Sequence, residues 1–298
     1  MAVPTAPTLV SLTTEGLKKA GHFSPSASEL TRAQDQFMEE IKNDVFTSAK
    51  KIKSLQTTSI LVLTQGLSRY ALPTDYSSDM VMNRLYGSHV GTSQAGTVNS
   101  ITLAADEDIA ESTIIGKSIL IYSGTGLGSM SQCVTYDETT KVAGVSPDFD
   151  TAPNGTSKYM VIDTSTPMSQ EPIWNVDSID VPTKQGEPSV YAPIGDVDNG
   201  EIIIYPVPYR ADAVPYSLQL RYYANLMKLD LSSTLMSTLY QRWRNLWVKG
   251  VELKQLQADD DDRAERVRGE YLTELQGVIA REQYGMDLTN LQARVLDY

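Results

Sequence analysis

Two histidines, His22 and His89, one cysteine, Cys133, and a scatter of close carboxylates are the residues whose types could do chemistry. A lone cysteine forms neither an intramolecular disulfide nor a multi-cysteine metal site, and two histidines are too few for most zinc centres or Ser-His-Asp triads. His22 stands in a Gly-Pro-Ser-rich stretch and His89 in the turn-like Gly87-Ser88-His89. Neither has a Ser or Cys partner in view, so both read as surface residues. Asp106 with Asp108, and Asp196 with Asp198, have the types needed for acid and base work on a glycosidic bond. In a chain with 37 acidic residues such pairs arise by chance, and both occupy polar, turn-like stretches.

Other candidates read as structure. Gly124-Thr125-Gly126-Leu127-Gly128 has the glycine density of a phosphate loop, but no Lys-Ser or Lys-Thr pair follows and the next residues alternate like a strand. A hairpin turn is expected there. The run Asp259 to Asp262 lacks the alternating ligands, central glycine and distal Glu of a calcium loop and suits a helix start. Trp243 and Trp247, four apart, share a helical face and read as buried packing rather than a platform for a base or sugar. Cys133 reads as a small core residue. No catalytic constellation, cofactor site or metal site emerges, so the expectation is a protein that is not an enzyme and carries no cofactor.

The 298 residues, 41% of them hydrophobic, suffice for an ordinary core and suit two domains. No run approaches the roughly 18 to 20 apolar residues of a membrane helix. Met1-Ala2-Val3-Pro4-Thr5 lacks the basic start and apolar core of a secretory signal, so a soluble protein made and used or assembled inside a cell, with no membrane partner, is expected. A net charge of −12 opposes sequence-reading DNA binding but permits a place near DNA. The acidity is uneven: residues 1–55 hold 7 basic and 6 acidic side chains, 56–229 hold 9 and 19, and 230–298 hold 9 and 12.

The elements that must position these residues change at the same boundaries. Ser26 and Glu29 form a capping-box signature, followed by an apolar stripe at Leu30, Ala33, Phe37, Ile41, Val45, Ala49 and Ile52. This predicts a helix over 27–54, on the order of 40 Å long at 1.5 Å per residue. Ser232 or Ser233 opens a second stripe with Leu235, Leu239, Trp243, Leu246, Gly250 and Leu253. Ala264, Val267, Tyr271, Leu275 and Val278 make a third, completing a helical hairpin or one bent helix. The middle predicts short strands: 60–63 and 68–72 as a hairpin across Thr64-Gln65-Gly66, then 99–103, 118–122, 132–136, 141–145, 159–162, 201–205 and 216–223. The predicted fold class is therefore α+β, a bundle of long helices from both ends of the chain with a β-rich sandwich or small barrel between them. By segment, 1–25 is a flexible leader, 26–56 and 230–285 the bundle, 57–96 and 164–229 the β-region, 97–163 an inserted β-module, and 286–298 a docking tail. Phe37, Ile41, Val45, Leu239, Trp243, Leu246, Tyr271 and Leu275 are its expected helical packing residues.

Four segments stand in order along the chain: Ala33-Gln34-Asp35-Gln36-Phe37-Met38-Glu39-Glu40-Ile41, Gln65-Gly66-Leu67-Ser68-Arg69-Tyr70-Ala71-Leu72-Pro73, Gly200 to Pro208, and Tyr216 to Tyr223 ahead of a helical C-terminus. That order is similar to the head-to-tail adaptor proteins of short-tailed, podovirus-like bacteriophages. The resemblance spans about 26–96 and 165–285. Residues 97–163 look like a β-module inserted in phage virion proteins, a departure from the shortest adaptors. The resemblance implies a structural virion protein of the neck, assembled in the bacterial cytoplasm: a ring, usually of twelve copies, under the portal. Its partners would be the portal protein, tail nozzle or hub proteins, further copies of itself, and packaged DNA passing without sequence-specific binding. It gives Leu291, Val295, Leu296 and Tyr298 the role of anchoring the tail in the portal. Another tail-tube, nozzle or head-completion protein is the alternative, and a carboxylate-dependent glycan hydrolase a distant one.

Overall fold

Thr8 and Ser11 exchange the two hydrogen bonds of a capping box and start helix α1 (Leu9–Ala20), inside the stretch expected to be a flexible leader. The computed structural model describes residues 7–49, 52–178, 184–195, 200–211 and 214–284. For residues 9–20 the leader expectation is corrected, and the cause is composition. The buried stripe is Leu12, Thr13, Gly16, Leu17 and Ala20, in which a threonine and a glycine hold core positions. The Thr13 hydroxyl donates to the Leu9 carbonyl at 2.9 Å, which makes its burial tolerable. Gly16 faces helix α7 (Arg244–Ala258) so closely that a Cβ would lie 2.7 Å from the Val251 side chain.

The expected helix over 27–54 forms as α2 (Ala27–Arg32), a π turn (Ala33–Phe37) and α3 (Met38–Ser48), opened by the Ser26–Glu29 capping box. The π turn has a reason in the sequence. Steps of four from Ala33 through Phe37 and Ile41 to Val45 drift about 40° each around a 3.6-residue helix. The wider turn, in which the Met38 amide donates to the Ala33 carbonyl five residues back, absorbs part of that drift. The helix ends earlier than expected. Ala49 is extended, and a short 3₁₀ turn, Lys53–Leu55, precedes the first strand. Ala49 and Ile52 are nevertheless buried, so the stripe was a core signal that outlasted the helix.

Toward the C-terminus, Ser233 accepts from the Met236 amide to cap α6 (Thr234–Arg242), and the backbone breaks at Trp243 before α7. Asp261 accepts from the Arg263 amide at 2.8 Å where α8 (Arg263–Tyr284) begins. The hairpin expectation thus becomes three helices. Phe37, Ile41, Val45, Leu239, Trp243, Leu246, Tyr271 and Leu275 are all buried in one cluster with Leu12, Leu17 and Val251. The helices near both ends belong to one unit, drawn from residues 1–56, 75–78 and 223–298.

Residues 57–74 and 79–222 make the second unit. The chain is mixed α and β, and its main sheet is a curled antiparallel one. That sheet runs β1 (Gln56–Val62), β15 (Ser217–Ala224), β3 (Tyr76–Thr92), β9 (Lys158–Pro167), β6 (Ser118–Ser123), β7 (Met130–Asp137), β8 (Val142–Ser146), β5 (Ser100–Thr102) and β4 (Ala95–Thr97). Its strand order leaves β1 and β4 as edges instead of closing a barrel. Ile119, Ile121, Tyr159 and Val161 enter one core while Leu120 and Met160, between them in sequence, enter another. Burial on both faces explains why these strands read as unbroken apolar runs. A second sheet orders β10 (Ser169–Gln170), β12 (Val190–Ile194), β13 (Glu201–Tyr205) and β2 (Arg69–Ala71). A third pairs β11 (Gln185–Gly186) with β14 (Val207–Pro208), and two short helices, α4 (Glu111–Ile114) and α5 (Ile173–Ser178), complete the unit.

Three strand expectations change. β1 and β2 are not a hairpin, because β1 pairs with β15 and β2 with β13, so Thr64-Gln65-Gly66 leads from one sheet to another. The longest strand, β3, was not anticipated. Arg84 occupies one of its buried positions, and register shifts on either side of Gly87 break the alternation. The module expected at 97–163 has its own apolar cluster, but β9 runs through its far boundary and pairs with β3, which lies before it, in one sheet, and contacts do not divide it from the β-region.

Candidate functional site

In the helical unit, two polar clamps hold segments distant in sequence. His22 follows Gly21, the left-handed residue that ends α1, and its ring lies between two carboxylates. Nδ1 is 2.6 Å from Glu29 Oε1 and Nε2 is 2.8 Å from Asp259 Oδ2. Gln255 also donates to Asp259, and Arg32 donates to Gln255 at 2.7 Å, so the α1–α2 link is tied to the end of α7. The Asp259 hydrogen bond is the main influence raising the His22 pKa, opposed by partial burial and reinforced by Glu29. Glu29 is lowered chiefly by the Ser26 amide and hydroxyl. For Asp259, desolvation acts upward, but hydrogen bonds from Gln255 and His22 bring the net shift down. His22 is therefore a bridging residue, which corrects its reading as a bare surface side chain. The acidic run is divided too: Asp259 faces His22 while Asp261 pairs with Arg263.

The second clamp is Glu282, buried near the end of α8. It accepts from the Ser54 amide at 2.8 Å, from the Ser54 hydroxyl, and from Trp243 Nε1 at 3.1 Å. Trp243 stacks on Trp247 with ring centroids 6.0 Å apart, and Tyr240 meets Trp247 edge-on at 5.7 Å. Both tryptophans are buried, so neither offers a face to a base or sugar. On this unit's surface, a groove of about 390 Å³ is lined by Asp44, Leu253, Lys254, Arg268, Tyr271 and Leu272, among others. It joins an apolar floor to a mixed-charge rim. Leu291, Val295, Leu296 and Tyr298 lie outside the described residues.

In the β unit, two segments that carry the resemblance meet. β2 and β13 are adjacent antiparallel strands, with Ala71 opposite Glu201, Tyr70 opposite Ile202 and Arg69 opposite Ile203. The Leu72 amide donates to Gly200 and the Ile204 amide to Ser68, extending the pairing at both ends. Tyr70 secures the preceding turn by donating to the Leu67 carbonyl at 2.8 Å and accepting from the Thr64 amide at 3.0 Å. Burial is the main cause that pushes the Tyr70 phenol up to about 12, so it remains a donor at neutral pH.

Gly124 to Gly128 form the β6–β7 turn, with Gly124, Gly126 and Gly128 all at positive φ, as a hairpin requires. Cys133 is buried in β7. Asp106 and Asp108 are exposed, whereas Glu107 between them is buried and bonds to His89. The surface reading of His89 is corrected accordingly, and Glu107 is the residue that sequence reasoning missed. Its one local signal is a place two residues before the apolar Ile109, on the same side of an extended segment, with Asp106 and Asp108 on the other. Nothing local links it to a histidine 18 residues earlier. Asp196 and Asp198 lie outside the described residues. No described helix is long and apolar enough to cross a membrane. Comparison with protein-family models and with curated protein sequences finds no match to this chain.

Proposed function

We propose that this protein is a structural virion component, a head-to-tail adaptor that assembles as a ring beneath a phage portal, extends the DNA channel and offers the tail its attachment site. The observation that carries this reading is the pairing of β2 with β13. Two segments that resemble adaptors, far apart in sequence, make one structural junction, and the extra β-module leaves that junction intact. The fourth, Tyr216 to Tyr223, is nearly all in β15, beside the edge strand β1. The first, Ala33 to Ile41, spans the π turn and the start of α3.

In this reading the helices from the two ends form a bundle, whose outer faces meet neighbouring copies in a closed, heterologous ring. A ring of this kind needs no reactive centre. The excess of acidic side chains over 56–229 raises the cost of close phosphate contact within about 10 Å at ordinary salt, which suits DNA in transit. The C-terminal tail carries the portal contact through Leu291, Val295, Leu296 and Tyr298, apolar anchors on a short polar segment.

Truncation after residue 285 tests the tail's role. Portal attachment, measured by co-sedimentation with purified portal rings, should disappear while the circular dichroism spectrum and melting temperature of the free chain stay unchanged. Attachment at the full-length level would refute the docking role.

A further inference from the structure

Glu107 carries an ionisable carboxylate into the β unit, with 6% of its side chain exposed. A buried carboxylate is costly unless a cation or several donors compensate it. Tyr159 donates to Glu107 Oε2 at 2.6 Å, and the Ala104 amide donates to the same phenol oxygen at 3.1 Å, which turns the Tyr159 proton toward Glu107. One carboxylate oxygen is thus fixed, and the other, Oε1, is aimed at His89 Nδ1, 2.8 Å away. The exposed Asp108 brings Oδ1 to 3.9 Å from the same nitrogen. Among the described residues this is the one group of three nitrogen and oxygen donors, from His, Cys, Asp or Glu, with ligand atoms all within 4.8 Å of one another.

We propose that His89, Glu107 and Asp108 form a structural site for a small divalent transition cation of the zinc class. A tetrahedral ion with ligand bonds of about 2.0 to 2.1 Å needs donors about 3.3 Å apart. The observed 2.8 and 3.9 Å straddle that spacing, and the residue that must move most, Asp108, is the one free to do so, its side chain 92% exposed. One imidazole with two carboxylates suits zinc or manganese better than soft, thiolate-seeking ions. Two positive charges next to Glu107 would compensate the burial of its carboxylate directly.

The support around the ligands has the form expected of a metal site. Tyr159 orients Glu107 from behind, as hydrogen-bonded outer groups do for ligating carboxylates. The backbone is cut to admit that phenol. Gly91 lies opposite Tyr159 across the β3–β9 ladder, and a Cβ at Gly91 would stand 2.6 Å from the Tyr159 hydroxyl oxygen. His89 comes from β3 and Glu107 and Asp108 from the segment after β5, so a bound ion would staple that segment to the long strand.

The test is calorimetric titration of the tag-free, chelator-treated full chain with Zn²⁺, with Co²⁺ absorption reporting geometry. One equivalent should bind, with the intense visible bands of a tetrahedral site, and should raise the melting temperature. H89Q and E107Q should each weaken binding at least tenfold, and Y159F, a positioning change, by about 10- to 100-fold. H22Q removes the other histidine and should leave binding unchanged. His89 is partly exposed, so H89Q keeps the test decisive if E107Q fails to fold. Wild-type protein that binds neither ion at millimolar concentration, or a loss of binding that follows H22Q instead of H89Q, would overturn the proposal.

Discussion

His22 gains its proton's partners only on folding, and that sets how this clamp responds to pH. Its folded pKa is raised, so its contribution is full below the unfolded value of about 6.5 and is lost as pH rises through the folded value. Glu29 and Asp259 run the other way, since their lowered values add stability above the ordinary carboxylate range and lose it as pH falls. The clamp should therefore be strongest between about pH 4.5 and 6.5. The gap in urea midpoint between the wild type and H22Q should be larger at about pH 5.5 than at about pH 8.5. A gap that does not change with pH would mean that His22 acts by packing alone. At this scale the sequence was least legible. The partners of His22 include Asp259, 237 residues away, and no local pattern announces such a pair.

Among the elements, Glu282 is where α8 depends on a distant segment. E282A would strip acceptors from the Ser54 amide and Trp243 Nε1, both drawn into a buried network. The expected cost is about 2 to 4 kcal/mol, read from chemical denaturation, with E282Q costing less because it keeps the shape and one acceptor oxygen. Equal losses in the two variants would contradict the hydrogen-bond account. Elements with strong periodicity were legible: Phe37, Ile41 and Val45, or Leu218, Leu220 and Tyr222, announce their buried faces directly. Helix α1 was not, because Thr13 and Gly16 sit where aliphatic residues would mark a stripe. β3 escaped for a related reason, since a buried arginine and register shifts disrupt its alternation. The turn at Thr64-Gln65-Gly66 was visible, but whether a turn joins partners or changes sheets depends on β13 and β15, which lie beyond its own sequence.

For the whole molecule, the division into helical ends and a β middle was legible because the apolar period changes between them. The proposed adaptor role rests on the β2–β13 junction together with the resemblance. The excess of acidic residues is equally a matter of the whole chain, as it sets the field that any approaching polyanion meets at a distance. The most direct test is electron microscopy of the full-length chain with and without purified phage portal rings. The account predicts a closed ring of this protein, twelve copies where the portal has twelve, seated on the portal and absent without it. Chains that remain monomeric beside intact portals, or that assemble only on a tail protein, would contradict it.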